Sequence, residues 1–181
     1  MNRTISAAVI MMVACTATAN AQAAAEKGSA MRTTTIGVTS VYQIAKNYVL
    51  RTAEQVPQDK YSFKPTPAVR SLGAILGHIA DAQHMFCAIA EGKPQPSEDM
   101  GTEKLTDKAA IIAELKKSFA HCDAVFAKLT DADLSREVML FGNKSNVAAV
   151  VALNAAHDME HYGNLITYMR INGIVPPSSQ Q

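Results

Sequence analysis

Four long stretches of the chain carry apolar residues at intervals of three and four, the spacing of an amphipathic helix. The predicted helices cover residues 35–56, 72–91, 107–129 and 146–172. Residues that begin or end helices lie at most of their boundaries. The predicted caps are Ser71, Thr106 and Ser145, and the terminators are Pro57, Gly92, Pro94, Gly173 and Pro176.

Four such helices, each five to seven turns long, predict an all-α four-helix bundle over residues 35–181. The composition agrees, because alanine is abundant and only 6% of residues are aromatic, which favours close helix packing over a β-sandwich. The connection 92–105 is long for two antiparallel neighbours and leaves room for a crossover. Residues 137–141 are expected to form an extended connection rather than a fifth helix.

The first 23 residues have the pattern of a secretory signal peptide. Arg3 provides the positive start, an apolar run covers residues 5–18, and small residues at 19–21 or 21–23 offer a cleavage site. The run is too short to span a bilayer comfortably, so we expect no stable membrane insertion. Residues 24–34 are expected to be disordered or extended.

Export to the periplasm or out of the cell follows from this leader. A lesser alternative is a lipoprotein anchored through Cys15, since residues 12–15 loosely resemble a lipobox. Cys87 and Cys122 would remain in the mature chain, where an oxidising compartment allows a disulfide. The sequence leaves the pairing open, and two separate buried thiols are the slightly favoured interpretation.

The formal charge of the chain is +1, with acids and bases mixed along its length. No segment carries a basic stripe, so we expect no nucleic-acid partner.

His157 and His161 are one turn apart on the last predicted helix and therefore share a face. The same face continues through Val150, Asn154, Leu165 and Tyr168, which makes it the core-facing stripe. A buried imidazole pair is costly unless its nitrogens are satisfied, and one metal ion can bind both. The pair therefore indicates a metal site.

Three completions of this pair compete. The run HDMEH matches the inverzincin pattern, but that site needs a downstream carboxylate ligand, and no Asp or Glu follows His161 in this sequence. A ferritin-like two-metal site would use Asp81 with His84 and Asp158 with His161, but the other two helices offer no suitable acids and His157 is left over. The third completion adds His78, on the apolar stripe of the second helix, to give three histidines and open coordination positions.

The segments LGHIADAQHMFCA, AAHDMEHYGNLITYMRINGIVPPSS and YSFKPTPAVRSLG resemble the DinB/YfiT-like superfamily of four-helix metalloproteins. The most specific element is the second-helix histidine combined with H-x-x-x-H on the last helix. The resemblance implies that His78, His157 and His161 bind a divalent ion, zinc or nickel. It also implies an up-down-down-up topology, with the crossover between helices two and three, and a homodimer.

Characterised members of that superfamily include S-transferases that use bacillithiol, mycothiol or glutathione, and a mycothiol-dependent maleylpyruvate isomerase. Those enzymes are cytoplasmic and depend on an abundant reduced thiol. An exported chain does not share that environment, which argues against a thiol cofactor here.

Three neutral imidazoles leave the charge of the ion available, so that it can lower the pKa of bound water to about 7 or hold a thiolate. We therefore predict a metal-dependent hydrolase or transferase of a small substrate, with metal-bound water or thiolate as nucleophile and no catalytic side chain assigned. The alternative is a non-catalytic metal-binding or stress-associated bundle. An open polar cleft would favour catalysis, and a sealed apolar pocket would favour a structural ion.

Three further residues are expected to support the ligands or line the pocket: Asp81, Asn154 and Tyr168. Asp158 and Glu160 are expected to be solvated or to lie behind the ligands, because helical geometry turns them away from the histidine face. His121 and Cys122 are interpreted as structural, since adjacent helical residues diverge by about 100°.

Overall fold

The structure is a computed structural model that describes residues 33–180. The predicted signal peptide, Cys15 and nearly all of the segment 24–34 lie outside the described residues. The helices are α1 (Thr33–Gln55), α2 (Leu72–Ala90), α3 (Lys108–Phe126), the short α4 (Asp131–Leu134) and α5 (Val147–Ile171); the strands are β1 (Glu137–Leu140) and β2 (Asn143–Asn146). Single turns of 3-10 helix occur at Gln58–Lys60, Thr102–Lys104 and Pro177–Ser179.

The four long helices are the four predicted ones, and every boundary lies within three residues of its predicted position. Three of them begin with a side-chain cap. Ser71, Asp107 and Asn146 accept hydrogen bonds from the backbone N–H three residues ahead. The caps of α3 and α5 are therefore Asp107 and Asn146 instead of the predicted Thr106 and Ser145, and both carry a good cap acceptor.

The long helices form an up-down-down-up bundle with a crossover between α2 and α3. Helix α2 packs against α3 and α5, and α1 packs against the same two helices from the other side. Apolar side chains from all four helices fill the space between them. Between residues 33 and 180, no helix is long and apolar enough to cross a bilayer.

The segment between α3 and α5 contains more regular structure than the sequence indicated. The predicted extended conformation is confirmed at Glu137–Leu140, but this strand pairs with Asn143–Asn146 in an antiparallel hairpin that was not predicted. Phe141 and Gly142 form the turn with positive φ angles, a conformation that glycine adopts without strain. A fifth helix, α4, precedes the hairpin.

Cys87 of α2 and Cys122 of α3 form a disulfide, with their Cα atoms 5.4 Å apart. The slightly favoured prediction of two separate thiols is therefore wrong. Both cysteines are buried where α2 and α3 pack against each other. This proximity depends on how the two helices are placed, which the periodicity of either helix does not determine.

Candidate metal centre

The bundle brings His78 of α2 together with His157 and His161 of α5. The Nε2 atoms of His157 and His78 are 3.2 Å apart, and those of His161 and His157 are 3.0 Å apart. One ligand nitrogen from each of the three rings lies within 4.8 Å of the others. These are the three histidines that the sequence singled out.

The protein leaves these imidazoles poorly satisfied. The Nδ1 atoms of His157 and His161 are buried and have no hydrogen-bond partner among the described residues. Their Nε2 atoms face only other imidazole nitrogens. A buried nitrogen without a partner costs about 1–3 kcal/mol, so a cluster of this kind is unfavourable unless something else binds it.

The electrostatics keep the cluster neutral. Burial, together with the neighbouring His161 and His78, lowers the pKa of His157 to about 3. Burial and His78 lower the pKa of His161 to about 4. Burial and Arg70 also lower the pKa of His78. All three rings are therefore neutral at ordinary pH and keep lone pairs for a cation.

The spacing of the three nitrogens fits a single divalent ion. Zinc lies 2.0–2.1 Å from a histidine nitrogen, so two ligands of a tetrahedral ion are about 3.3 Å apart. The two Nε2 separations given above, 3.0 and 3.2 Å, are close to that value. The donor set, three neutral imidazoles, is one that zinc, copper, iron and nickel all accept.

Glu103 is a residue of this site that the sequence did not single out. Its Oε2 lies 3.5 Å from Nδ1 of His78, and its Oε1 accepts a hydrogen bond of 2.9 Å from Nε of Arg70. A carboxylate behind a ligand histidine fixes the orientation and tautomer of the ring. Glu103 lies in the crossover, which has no helical periodicity, so no sequence signal pointed to it.

The crossover reaches His78 because α2 allows it to come very close. A Cβ atom on Gly77 would lie 2.7 Å from the carbonyl carbon of Thr102 and 2.8 Å from the Cα of Glu103. Real Cβ contacts are longer, so this approach requires glycine.

Asp81, predicted to support a ligand histidine, holds the crossover instead. Its Oδ2 accepts hydrogen bonds of 3.2 Å from the backbone N–H groups of Met100 and Thr102. The carboxylate that lies against His78 is that of Glu103, one residue beyond Thr102. Asp81, on the same helix as His78, binds backbone N–H groups of the crossover. No sequence pattern indicated that these groups would lie beside Asp81.

An open cleft of about 760 Å³ adjoins the histidines on one side. Its lining includes His161, Glu103, Lys64, Arg70 and Tyr168. Tyr168, predicted as a pocket residue, does line this cleft, and its hydroxyl donates a 2.9 Å hydrogen bond to the carbonyl of Arg70. This bond ties the loop that carries Arg70 to α5.

Asn154 and Asp158 lie elsewhere, in a buried polar network between α2 and α5. Nε2 of Gln83 donates to both carboxylate oxygens of Asp158 at 2.7 Å and to Oδ1 of Asn154 at 2.6 Å. Nδ2 of Asn154 lies 3.7 and 3.8 Å from the sulfurs of Cys87 and Cys122. Asn154 is therefore a core residue beside the disulfide and does not line the cleft.

Asp158 was expected to be solvated or to lie behind the ligands; its side chain is fully buried, and its hydrogen-bond partner is Gln83. Burial raises the pKa of Asp158 to about 8, although the hydrogen bond from Gln83 acts in the opposite direction. Glu160 is exposed, as predicted.

The other two histidines form a separate pair between α2 and α3. Nδ1 of His84 and Nδ1 of His121 are 3.4 Å apart, and Nε2 of His121 lies 3.1 Å from a carboxylate oxygen of Glu91. This arrangement agrees with a structural role for His121. Within residues 33–180, only His78, His157 and His161 form a group of three potential ligands.

Comparison with known proteins supports the resemblance. The family model of the DinB superfamily matches residues 42–165. The chain is 30% identical over 132 residues to the uncharacterized protein YjoA of Bacillus subtilis (strain 168), a match that covers 71% of this chain and 84% of the relative. The crystal structure of the DinB-like protein YjoA has a TM-score of 0.64 at 28% identity, covering 80% and 98% of the two chains.

Two more distant structures share the fold. The mycothiol-dependent maleylpyruvate isomerase has a TM-score of 0.63 at 14% identity, covering 72% of this chain and 60% of the enzyme. The colibactin self-resistance protein ClbS, solved in complex with double-stranded DNA, has a TM-score of 0.59 at 12% identity, covering 75% and 95% of the two chains. At these identities the likeness extends to the fold alone.

Proposed function

The chain belongs to the DinB superfamily, and from that membership we propose that it binds one divalent metal ion through His78, His157 and His161. We propose further that the ion, zinc or nickel, serves hydrolysis or group transfer on a small molecule. A divalent ion in such a site acts as a Lewis acid and lowers the pKa of a bound water or thiol.

The observation that favours catalysis over a structural ion is the open cleft beside the histidines. A purely structural zinc site is closed, with protein ligands at every position. Here the chain offers three ligands, and His161 itself lines a cleft of about 760 Å³ that also contains charged and polar side chains. A small molecule therefore has a path to the remaining coordination positions.

The side chains around the histidines favour the orientation and the protonation state that metal binding requires. The Glu103 carboxylate lies 3.5 Å from Nδ1 of His78, a position that favours the tautomer with the proton on Nδ1 and the lone pair on Nε2, the atom nearest His157. The buried surroundings keep the three rings neutral, so that they do not need to release protons before binding a cation. Tyr168 holds the loop that forms one wall of the cleft.

Export and the identity of the nucleophile form the second part of the proposal. The disulfide between Cys87 and Cys122 supports export, because disulfides persist in oxidising compartments such as the periplasm. In that environment water is the more available nucleophile, and a reduced thiol cofactor is less available. The maleylpyruvate isomerase uses mycothiol, so a thiol remains the alternative nucleophile.

A small molecule is the proposed partner. The formal charge of +1 argues against nucleic acid, but ClbS has been solved with double-stranded DNA, so the fold itself does not exclude it. Fluorescence anisotropy with a labelled duplex at low salt should show no binding by this chain. The homodimer that the family resemblance implies remains a prediction, to be measured by light scattering.

The proposed activity is tested with zinc-loaded, nickel-loaded and metal-free protein. Hydrolysis of p-nitrophenyl acetate and transfer of a thiol to 1-chloro-2,4-dinitrobenzene represent the two reaction classes. We expect metal-dependent turnover in one class, absent from the His157→Ala variant and retained in His121→Ala. Stoichiometric metal binding without turnover in either class would favour the non-catalytic alternative.

A further inference from the structure

We propose that the small molecule bound in this cleft carries a carboxylate, and that Arg70 and Lys64 bind it. This inference rests on the proposed function, since it concerns the cleft beside the three histidines. It names the chemical class of the ligand and two residues that select it.

Arg70 is held in place with part of its guanidinium unused. Its Nε donates to Oε1 of Glu103 at 2.9 Å, and its backbone carbonyl accepts the hydroxyl of Tyr168. Its two terminal amino groups make no hydrogen bond to residues 33–180, and the side chain is 45% exposed at the cleft. A guanidinium fixed through Nε presents its remaining N–H groups in the planar arrangement that binds a carboxylate.

The guanidinium lines the same cleft as His161. After burial, Arg70 is among the charges that lower the pKa of His78, His157 and His161. A molecule that reaches the histidines from the cleft therefore comes within range of Arg70. Because Arg70 and His161 line the same cleft, one compact molecule can contact both.

Lys64 is the second cation of the cleft. It lies in the same loop as Arg70 and forms no ion pair with any residue of the described chain. The backbone N–H groups of Leu72 and Gly73, the first residues of α2, donate hydrogen bonds to the carbonyls of Phe63 and Tyr61, which anchors this loop at both ends. The lysine is thus placed at the cleft while its ammonium group stays available.

The charge of the protein side chains that line the cleft favours an anion. Lys64 and Arg70 contribute two positive charges and Glu103 one negative charge, which leaves one positive charge among the ionisable side chains that line the cleft, apart from His161. A carboxylate bound at Arg70 and Lys64 balances that charge and leaves the charge of the ion for its other ligands. Arg170, in the last turn of α5, donates a hydrogen bond to Ser179 and does not line the cleft, so it can serve as a control arginine.

The test compares two thiols of equal length, 4-mercaptobutyrate and 4-mercapto-1-butanol, by isothermal titration into the zinc-loaded protein. Both probes offer the same thiol to the ion, and only the first offers a carboxylate. We expect 4-mercaptobutyrate to bind about tenfold more tightly than 4-mercapto-1-butanol, because its carboxylate adds one charge-assisted bidentate contact. In Arg70→Met and in Lys64→Met this preference should fall, and in the matched control Arg170→Met it should persist.

Elemental analysis of every variant separates the two proposals. Zinc binding and equal affinity for the two thiols in the wild type would overturn the carboxylate proposal and leave the metal site intact. A preference that survives in both Arg70→Met and Lys64→Met would also overturn it. Wild-type protein that binds no zinc would contradict the proposed function, and the carboxylate proposal would fall with it. Arg70→Met removes a hydrogen bond to Glu103 and could therefore disturb His78. Lys64 forms no hydrogen bond or ion pair with Glu103, so Lys64→Met tests the proposal without that effect.

Discussion

At the scale of single residues, Glu103 has the most informative position in the site. It lies between Arg70, which faces the cleft, and His78, which faces the other two histidines. The three histidines could be predicted from helical spacing, because each lies on an apolar stripe where an imidazole has few other uses. Glu103 could not, since its proximity to His78 depends on the path of the crossover.

Replacing Glu103 by glutamine should weaken metal binding without abolishing it. The amide lacks the negative charge that the carboxylate places 3.5 Å from Nδ1 of His78, and loss of such a partner typically reduces metal affinity by about 10- to 100-fold. Competition with a chromophoric zinc chelator measures this. Glu114→Gln on α3 is the matched control. Equal affinities for Glu103→Gln and wild type would show that Glu103 does not support the site.

The buried carboxyl group of Asp158 should lower the free energy of unfolding as the pH rises. Its pKa is raised to about 8 when folded and is near 3.9 when unfolded, so the unfolded chain binds fewer protons between these values. The contribution of this group to stability is therefore full below about pH 4 and is lost as the pH rises to about 8. Asp158→Asn should be more stable than the wild type at pH 8 and closer to it at pH 5.

Urea denaturation of metal-free protein at both pH values tests this difference. Asp59→Asn, a change at an exposed carboxylate, serves as the control and should shift neither value. A wild type that gains stability relative to Asp158→Asn between pH 5 and pH 8 would contradict the raised pKa.

At the scale of elements, the crossover between α2 and α3 determines whether the site is complete. Asp81 holds its backbone at Met100 and Thr102, and Gly77 lets it lie against α2. The length of this connection predicted a crossover, but its contribution of a side chain to the site depends on tertiary contacts. The same limit applies to the disulfide and to the hairpin β1–β2, whose partners are set by packing between elements.

Gly77→Ala should displace the crossover and Glu103 with it. The added methyl group overlaps the backbone of Thr102 and Glu103, which cannot rotate away as a side chain would. We expect a loss of about 1–3 kcal/mol in the free energy of unfolding, together with weaker zinc binding. Thermal denaturation and zinc competition measure the two effects.

Gly37→Ala is the matched control, because a Cβ at this helical position of α1 meets no atom of residues 33–180 within 4 Å. It should be neutral or stabilising, since alanine favours helix over glycine by about 1 kcal/mol. If Gly77→Ala behaves like Gly37→Ala in both measurements, the close approach does not control the site.

At the scale of the whole molecule, the apolar periodicity of the sequence predicts the helix bundle, whereas the protonation state of the histidine site depends on burial in the folded chain. Each long helix was predictable because its apolar stripe and its terminators agree with one another. Packing α2 against α5 then buries much of the surface of the histidines and lowers their pKa values. That change could not be read from the sequence, because it depends on what covers each ring.

Metal affinity should change little between pH 7 and pH 5.5. Three ordinary imidazoles with a pKa near 6.5 would each become about 90% protonated at pH 5.5, which would reduce affinity by about a thousandfold. Here His157 and His161 have pKa values of about 3 and 4, and that of His78 is also lowered, so protons compete mainly at lower pH. Zinc affinities measured at both pH values decide the question, and a thousandfold loss would contradict the lowered pKa values.

The most direct test of the three-histidine metal centre is the metal content of the full mature chain, purified without an affinity tag and measured by elemental analysis. We expect about one zinc or nickel ion per chain in the wild type and in His121→Ala. The ion should be lost in His78→Ala and in His157→Ala. A wild type that binds neither metal after incubation with either, or variants that keep the full ion content, would contradict the metal centre.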